Sequence, residues 1–202
     1  MKTKDFFDAK ADNYATSRAT GFLKKHIDKE KNCVLELLDI KEGEHILDAG
    51  CGDGYYSVLM KKAGAVPFGI DISEKMITNL KKRGIDGTVS DLETFRTDMR
   101  FDKVLCSGAL EFLKNHDAAL RNFNRHLKNG GGLVVLYPRK SVPGCAYWAY
   151  HKSHGINIRL FSARELLQSM HNANFKNVTD IKANALCSVA WAQKSLATEH
   201  RL

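Results

Sequence analysis

Three glycines, Gly50, Gly52 and Gly54, stand on alternate positions just after an acid, Asp48, in the run ILDAGCGDG. Glycine accepts backbone angles that other residues resist and puts no Cβ between a ligand and the main chain, so such a loop is built for close approach. The spacing is not that of a dinucleotide loop, G-x-G-x-x-G, because Tyr55 falls where the third glycine would be. A Walker sequence, G-x-x-x-x-G-K-[ST], is absent as well. An anionic side chain beside the loop repels a pyrophosphate and favours a ligand with an ammonium group. A second acid, Asp71, follows seventeen residues after Gly54, and a carboxylate there can accept bonds from both hydroxyls of a ribose. In SDLETF a third, Asp91, is offered to an exocyclic amine and Leu92 to a purine face.

Groups able to take a proton are Glu111, His116, His151 and His154. A helix cap or a surface position accounts for each of them as well. Tyr147, Trp148 and Tyr150 read either as the lining of a pocket for a flat or lipid-like molecule or as ordinary packing. No cluster of histidines and acids has the spacing of metal ligands, so no metal is expected. The cysteines are five, scattered and free of any C-x-x-C pair, which predicts reduced thiols rather than disulfides.

The elements that carry these residues alternate. EHILDAG is an apolar run without alternation, as in a strand covered on both faces, and YYSVLMKKAG follows as a helix closed by Gly64. VPFGIDI and SEKMITNLKKRG repeat the unit, with Ser73 as N-cap and Gly84 as stop. IDGTVSD is a weak third strand and FDKVLCSG a fourth. A helix is expected over HDAALRNFNRHLKNGG, with Leu120, Phe123 and Leu127 on one face, and GLVVLYP is a fifth strand. Residues 139–161 show no clear period and read as an irregular insertion. Ser162 and Glu165 then form a capping-box signature ahead of Leu166, Leu167 and Met170. FKNVTDIKA and ALCSVAWAQKS are too close for a helical crossover and should pair antiparallel. Two helices are expected within residues 1–40. Together these predict one α/β domain over 1–202: a doubly wound, mostly parallel sheet with helices on both faces.

The formal charge is +8, and residues 139–164 hold five bases (Arg139, Lys140, Lys152, Arg159, Arg164) and no acid. That segment reads as a solvated loop or as a surface receiving an anionic substrate or RNA. No secretory signal opens the chain and no apolar run nears the ~20 residues of a spanning helix, so the expected compartment is the cytoplasm.

In order and spacing, ILDAGCGDGYYS, FGIDIS, VSDLETF, FDKVLCSGALEFL and LKNGGGLVVLYP resemble the class I S-adenosylmethionine-dependent methyltransferases, over about residues 6–195. FFDAKADNYATSR is similar to the opening of small-molecule members, such as the quinone- and biotin-pathway (type 11) enzymes. The resemblance implies a Rossmann-like sheet of seven strands with an antiparallel last strand and an N-terminal helical cap. It implies S-adenosylmethionine as cofactor, with Asp48, Ala49, Gly50, Cys51, Gly52 and Gly54 around the methionine part. Asp71 would take the ribose, Ile72 the adenine, and Asp91 with Leu92 its edge. Ser107 and Gly108 would lie near the sulfonium and the entering substrate, Tyr14 would close over the methionine carboxylate, and 139–161 would overlook the substrate, which favours His151 and His154 among the bases. Where some relatives carry histidine, this chain has Phe112. The sequence CSGA lacks the Asn/Asp-Pro-Pro-aromatic run of amino-methylating nucleic-acid enzymes, which disfavours attack by a base amino group. The expected acceptor is a small molecule, anionic or aromatic, methylated on O, N or C. An RNA methyltransferase and a non-catalytic cofactor-binding regulator are the alternatives, and no residue names a catalytic group, the acceptor or an oligomeric state.

Overall fold

In the computed structural model, residues 3–10 and 23–196 are described. Their strands form one sheet in the order β3-β2-β1-β4-β5-β7-β6. The strands are β1 (His45–Ala49), β2 (Val66–Asp71), β3 (Asp86–Val89), β4 (Phe101–Ser107), β5 (Leu127–Pro138), β6 (Phe175–Lys182) and β7 (Cys187–Lys194). The first five pair in parallel, while β7 runs antiparallel to both β5 and β6. Strand order reverses between β1 and β4, where open α/β sheets bind ligands beyond the carboxyl ends of the strands.

The lack of alternation in the central strands has a direct cause: neighbouring residues point to opposite layers, and both layers are covered. Leu47, Val104 and Val135 enter one core with Phe123, Phe161 and Met170. Ile46, Leu105 and Val134 enter the other with Val34, Leu38, Tyr56 and Met60. The first layer contains helices α5 (His116–His126) and α7 (Ala163–Asn172), and the second contains α2 (Leu23–Leu38) and α3 (Tyr55–Lys62). Helix α4 (Glu74–Lys82) packs Ile77 and Leu80 on Cys51 and Ile85. Helix α1 (Thr3–Lys10) lies on the rim, with Phe6 buried against Ile156 and Ile158.

Local signals account for most helix ends. The Ser73 hydroxyl accepts from the Met76 N–H at 3.2 Å and starts α4. Ser162 and Glu165 cap α7 reciprocally, each accepting a backbone N–H of the other.

Two expectations are corrected. Helix α5 stops at His126, because Leu127 turns to an extended ψ of 143° and joins β5 beside Phe101. Leu127 is buried in the strand just as it would be in a helix, so apolar spacing does not separate the two. Residues 139–161 are not irregular throughout: helix α6 (Val142–Ser153) occupies their first half. Ser141 accepts from the Gly144 N–H at 3.2 Å, and Pro143 sits in the first turn, where its missing N–H is harmless. With apolar residues on nearly every side of α6, no helical period shows in its sequence.

Candidate active site

At the end of β1 the chain turns sharply across β2. The N–H groups of Gly50 and Cys51 both donate to the Ile70 carbonyl, at 2.8 and 3.0 Å. Gly50 has φ 77°, and a Cβ there would lie 2.4 Å from the Ala109 methyl, so this position admits only glycine. The loop is then clamped from the neighbouring strand end. Asp71 accepts from the Gly52 N–H at 3.0 Å through Oδ2 and from the Ser73 N–H at 2.9 Å through Oδ1. Burial pushes the Asp71 carboxyl above the usual range, and the N–H groups of Ser73, Gly52 and Ile72 pull it back. Asp48 is buried and accepts from the Ser57 hydroxyl at 2.5 Å, which ties the strand end to the first turn of α3. Asp91 accepts from the Glu93 N–H at 2.8 Å in the turn after β3.

These strand ends form the floor of a cavity of about 680 Å³. Asp48, Gly50, Cys51, Gly52, Asp71, Ile72, Asp91, Leu92 and Ser107 all line it. Three of the sequence-derived residues stand apart. Ala49 is fully buried beneath the loop, Gly54 turns at φ 86° behind it, and Tyr14 lies outside the described residues. The other acid of the loop, Asp53, is paired with Arg83 at 2.7 Å and is not part of the lining. The wall continues through Phe7 of α1, Phe112 and Leu113 after β4, and Ile156 after α6, and Lys4, Glu93 and Lys114 line it as well. The aspartates at the strand ends favour a cation there. Of the two lysines, Lys4 is paired with Asp8 and Glu74, at 3.4 and 3.7 Å, and Lys114 has no ion pair among the described residues.

Residues 23–180 match the model of a methyltransferase domain. The chain belongs to that family, the class I S-adenosylmethionine-dependent methyltransferases. It is 33% identical over 137 residues to a ubiquinone biosynthesis O-methyltransferase of Coxiella burnetii, covering 64% of this chain and 58% of that protein. It is 36% identical over 101 residues to a demethylmenaquinone methyltransferase of Corynebacterium efficiens, covering 50% and 44%. The chain thus spans about half the length of these curated relatives. Among solved structures, a methyltransferase of Thermotoga maritima described as a possible histamine N-methyltransferase superposes with TM-score 0.76 at 21% identity, covering 95% of this chain and 99% of that one. The magnesium protoporphyrin IX methyltransferase of Synechocystis, with bound S-adenosylhomocysteine, gives TM-score 0.71 at 18% identity, covering 95% and 98%.

A methyltransferase with a histidine base would present an imidazole to this cavity, yet among the described residues no histidine lines it. His116 packs edge-on against Phe161, 5.1 Å between ring centres, and burial lowers its basicity. His151 is enclosed by the rings of Phe6, Phe112, Tyr147 and Tyr150. His154 caps α6, its Nδ1 at 2.8 Å from the Tyr150 carbonyl oxygen. Sequence reasoning missed Tyr55, Met76 and Phe7 as lining residues. Tyr55 could have been found, since it follows the last loop glycine directly.

Glu111 lies behind Gly108, outside the cavity wall, with Oε2 buried and without a hydrogen-bond partner among the described residues. Burial pushes its carboxyl up to about 8 from the ordinary 4.5. The native protein therefore holds this proton more tightly than the unfolded chain does. The stability it contributes is whole below pH 4.5 and is lost as pH rises toward about 8, at up to ~1.4 kcal/mol per pH unit. Glu111→Gln keeps the shape and removes the ionisation, so it should flatten this decline. Urea unfolding at mildly acidic and mildly alkaline pH measures it, and an unchanged slope in the variant would place the titrating group elsewhere.

Proposed function

We propose that this chain transfers the methyl group of S-adenosylmethionine to an O, N or C nucleophile of a small acceptor with an aromatic body and anionic character. The observation that carries the reading is the mixed lining of the cavity, in which four acids (Asp48, Asp71, Asp91 and Glu93) and a bare glycine loop share the wall with Phe7, Phe112, Leu113, Ile156 and Lys114. The donor set suits the cofactor. Asp48 would provide negative charge for its ammonium end, Asp71 has oxygen lone pairs for ribose hydroxyls beyond the backbone bonds that hold it, and Ile72 and Leu92 would offer apolar faces to adenine.

When bound, the cofactor supplies an already activated methyl group on a cationic sulfur. The protein's part is then alignment and exclusion of water, effects worth up to ~7–11 kcal/mol of barrier in well-oriented systems. Ser107 and Gly108, at and just after the end of β4, line the same cavity, and the acceptor atom would be held near them. With no imidazole in the described lining, this reading favours an acceptor that ionises readily. Lys114 has no ion-pair partner among the described residues, and its ammonium group at the wall would stabilise a phenolate or enolate in place. The quinone-pathway names of the two relatives agree with a hydroxylated ring as acceptor.

Incubation of the purified protein with labelled S-adenosylmethionine and a panel of phenols, catechols, amines and carboxylated aromatics tests this. Transfer to acidic hydroxylated rings, reduced in Lys114→Gln, is the expected result. Tight cofactor binding without transfer to any acceptor would instead support a regulator, and transfer to bulk tRNA alone would support an RNA enzyme.

A further inference from the structure

Helix α6 is anomalous for a soluble surface. Val142, Cys145, Ala146, Trp148, Ala149 and Tyr150 all face solvent, with Val142 86% exposed, Tyr150 46% and Trp148 42%. Positions 142, 146, 149 and 153 follow one another along the outermost line of the helix, and only the last of them, Ser153, is polar. A helix apolar on all sides is ordinarily buried, and an exposed apolar patch of this kind marks an interaction surface. On its inner side, Gly144 and His151 are buried.

The charge around the patch restricts what can cover it. Of the five bases in 139–164, Arg139 is half-buried and Lys140 is paired with Glu165 at 2.6 Å. Lys152 donates to the neutral amide oxygen of Asn157 at 3.0 Å, and Arg159 lies over the Phe161 ring at 5.2 Å. Arg164 is exposed and has no ion pair among the described residues. The bases carried by the patch and the chain that follows it are therefore largely uncompensated. A second copy of this chain would bring the same positive charge against it, and RNA has no use for valine and alanine. A bilayer rich in anionic lipid meets both features: it attracts lysine and arginine, and it takes tryptophan, tyrosine and aliphatic side chains into the headgroup boundary.

The geometry points to α6 as an interfacial helix that docks the protein on an anionic membrane surface. The helix has 12 residues, and no helix among the described residues is long and apolar enough to cross a membrane, so it lies in the surface rather than spanning it. Gly155, Ile156 and Asn157, which directly follow α6, line the cavity. Docking therefore sets that wall of the cavity at the lipid boundary, where an acceptor with an apolar tail enters without crossing water. The docking itself does not depend on methyl transfer and is read without turnover.

Flotation of the full chain with vesicles tests it, comparing phosphatidylcholine alone with mixtures containing phosphatidylglycerol. The protein should float with the anionic vesicles at low salt and be released by high salt. Val142→Asp with Trp148→Glu should lower the floated fraction by about tenfold with affinity for S-adenosylhomocysteine unchanged, and Lys152→Glu with Arg164→Glu should do the same. Of the two tryptophans, Trp191 can be replaced by phenylalanine so that Trp148 alone reports. Its emission should shift to the blue and be quenched by brominated lipid. No flotation on anionic vesicles would overturn the inference, as would flotation unaffected by the Val142 and Trp148 changes. So would a self-association that those changes abolish in a protein that does not bind vesicles.

Discussion

Gly52→Val is expected to weaken S-adenosylhomocysteine binding by at least ~100-fold, about 2.8 kcal/mol, while the sheet stays folded. Gly52 has φ 53°, its N–H is fixed on Asp71 at 3.0 Å, and it lines the cavity. A branched side chain there both resists the left-handed backbone and occupies the path of the ligand. The backbone effect can be subtracted. Gly43 also has positive φ, 78°, but nothing lies within 4 Å of where its Cβ would be. Gly43→Val should therefore lose about 1–3 kcal/mol of stability and keep its ligand. Calorimetric titration of both variants, with thermal melts alongside, separates the two effects. Equal affinity in Gly52→Val and the parent protein would remove the loop from the binding site.

Asp71→Ala should give the second large effect. The carboxylate spans two loops by accepting from Gly52 and Ser73, so its loss removes a proposed ribose contact and also frees the glycine turn. Hydrogen bonds to a charged group are worth ~1.5–3 kcal/mol each, which sets the expected loss at ~100-fold for S-adenosylhomocysteine. Homocysteine, lacking the ribose, should lose no more than ~10-fold, through the loosened loop alone. Losses of the same size for both ligands would mean that Asp71 acts only by holding the turn.

The double role of Asp71 illustrates where sequence reading succeeds and stops. That an acid ends β2 beside a glycine loop was legible, because strand, loop and acid are local patterns. That the same acid already bonds the loop depends on β1 and β2 being neighbours in register, Asp48 beside Gly69, which no local pattern states. Ser73, Gly64, Gly84 and the Ser162–Glu165 box were legible for the same reason: caps and stops are short-range chemistry. The antiparallel pairing of β6 and β7 followed from the short connection around Asn184.

The misses also have physical causes. Helix α6 carries no amphipathic period, since its outer face is as apolar as its inner one, and periodicity is the signal on which helix assignment rests. Leu127 is buried whichever way the chain runs, so the end of α5 was set by pairing with Phe101 rather than by hydrophobicity. The proton-accepting candidates were chosen by residue type. In the fold, Glu111, His116 and His151 are directed into packing, and His154 serves a helix end.

The position of β7 has a consequence for how the molecule comes together. Among the described residues it is the last strand in sequence, yet it stands between β5 and β6 and hydrogen-bonds to both. Until it is made, β6 has nothing to join and β5 is an open edge able to recruit a foreign strand. During synthesis the nascent chain can build the parallel half of the sheet early, but it cannot seal that edge until residues 187–194 have emerged. A ribosome stalled before Cys187 should thus leave a product that aggregates rather than a smaller soluble protein.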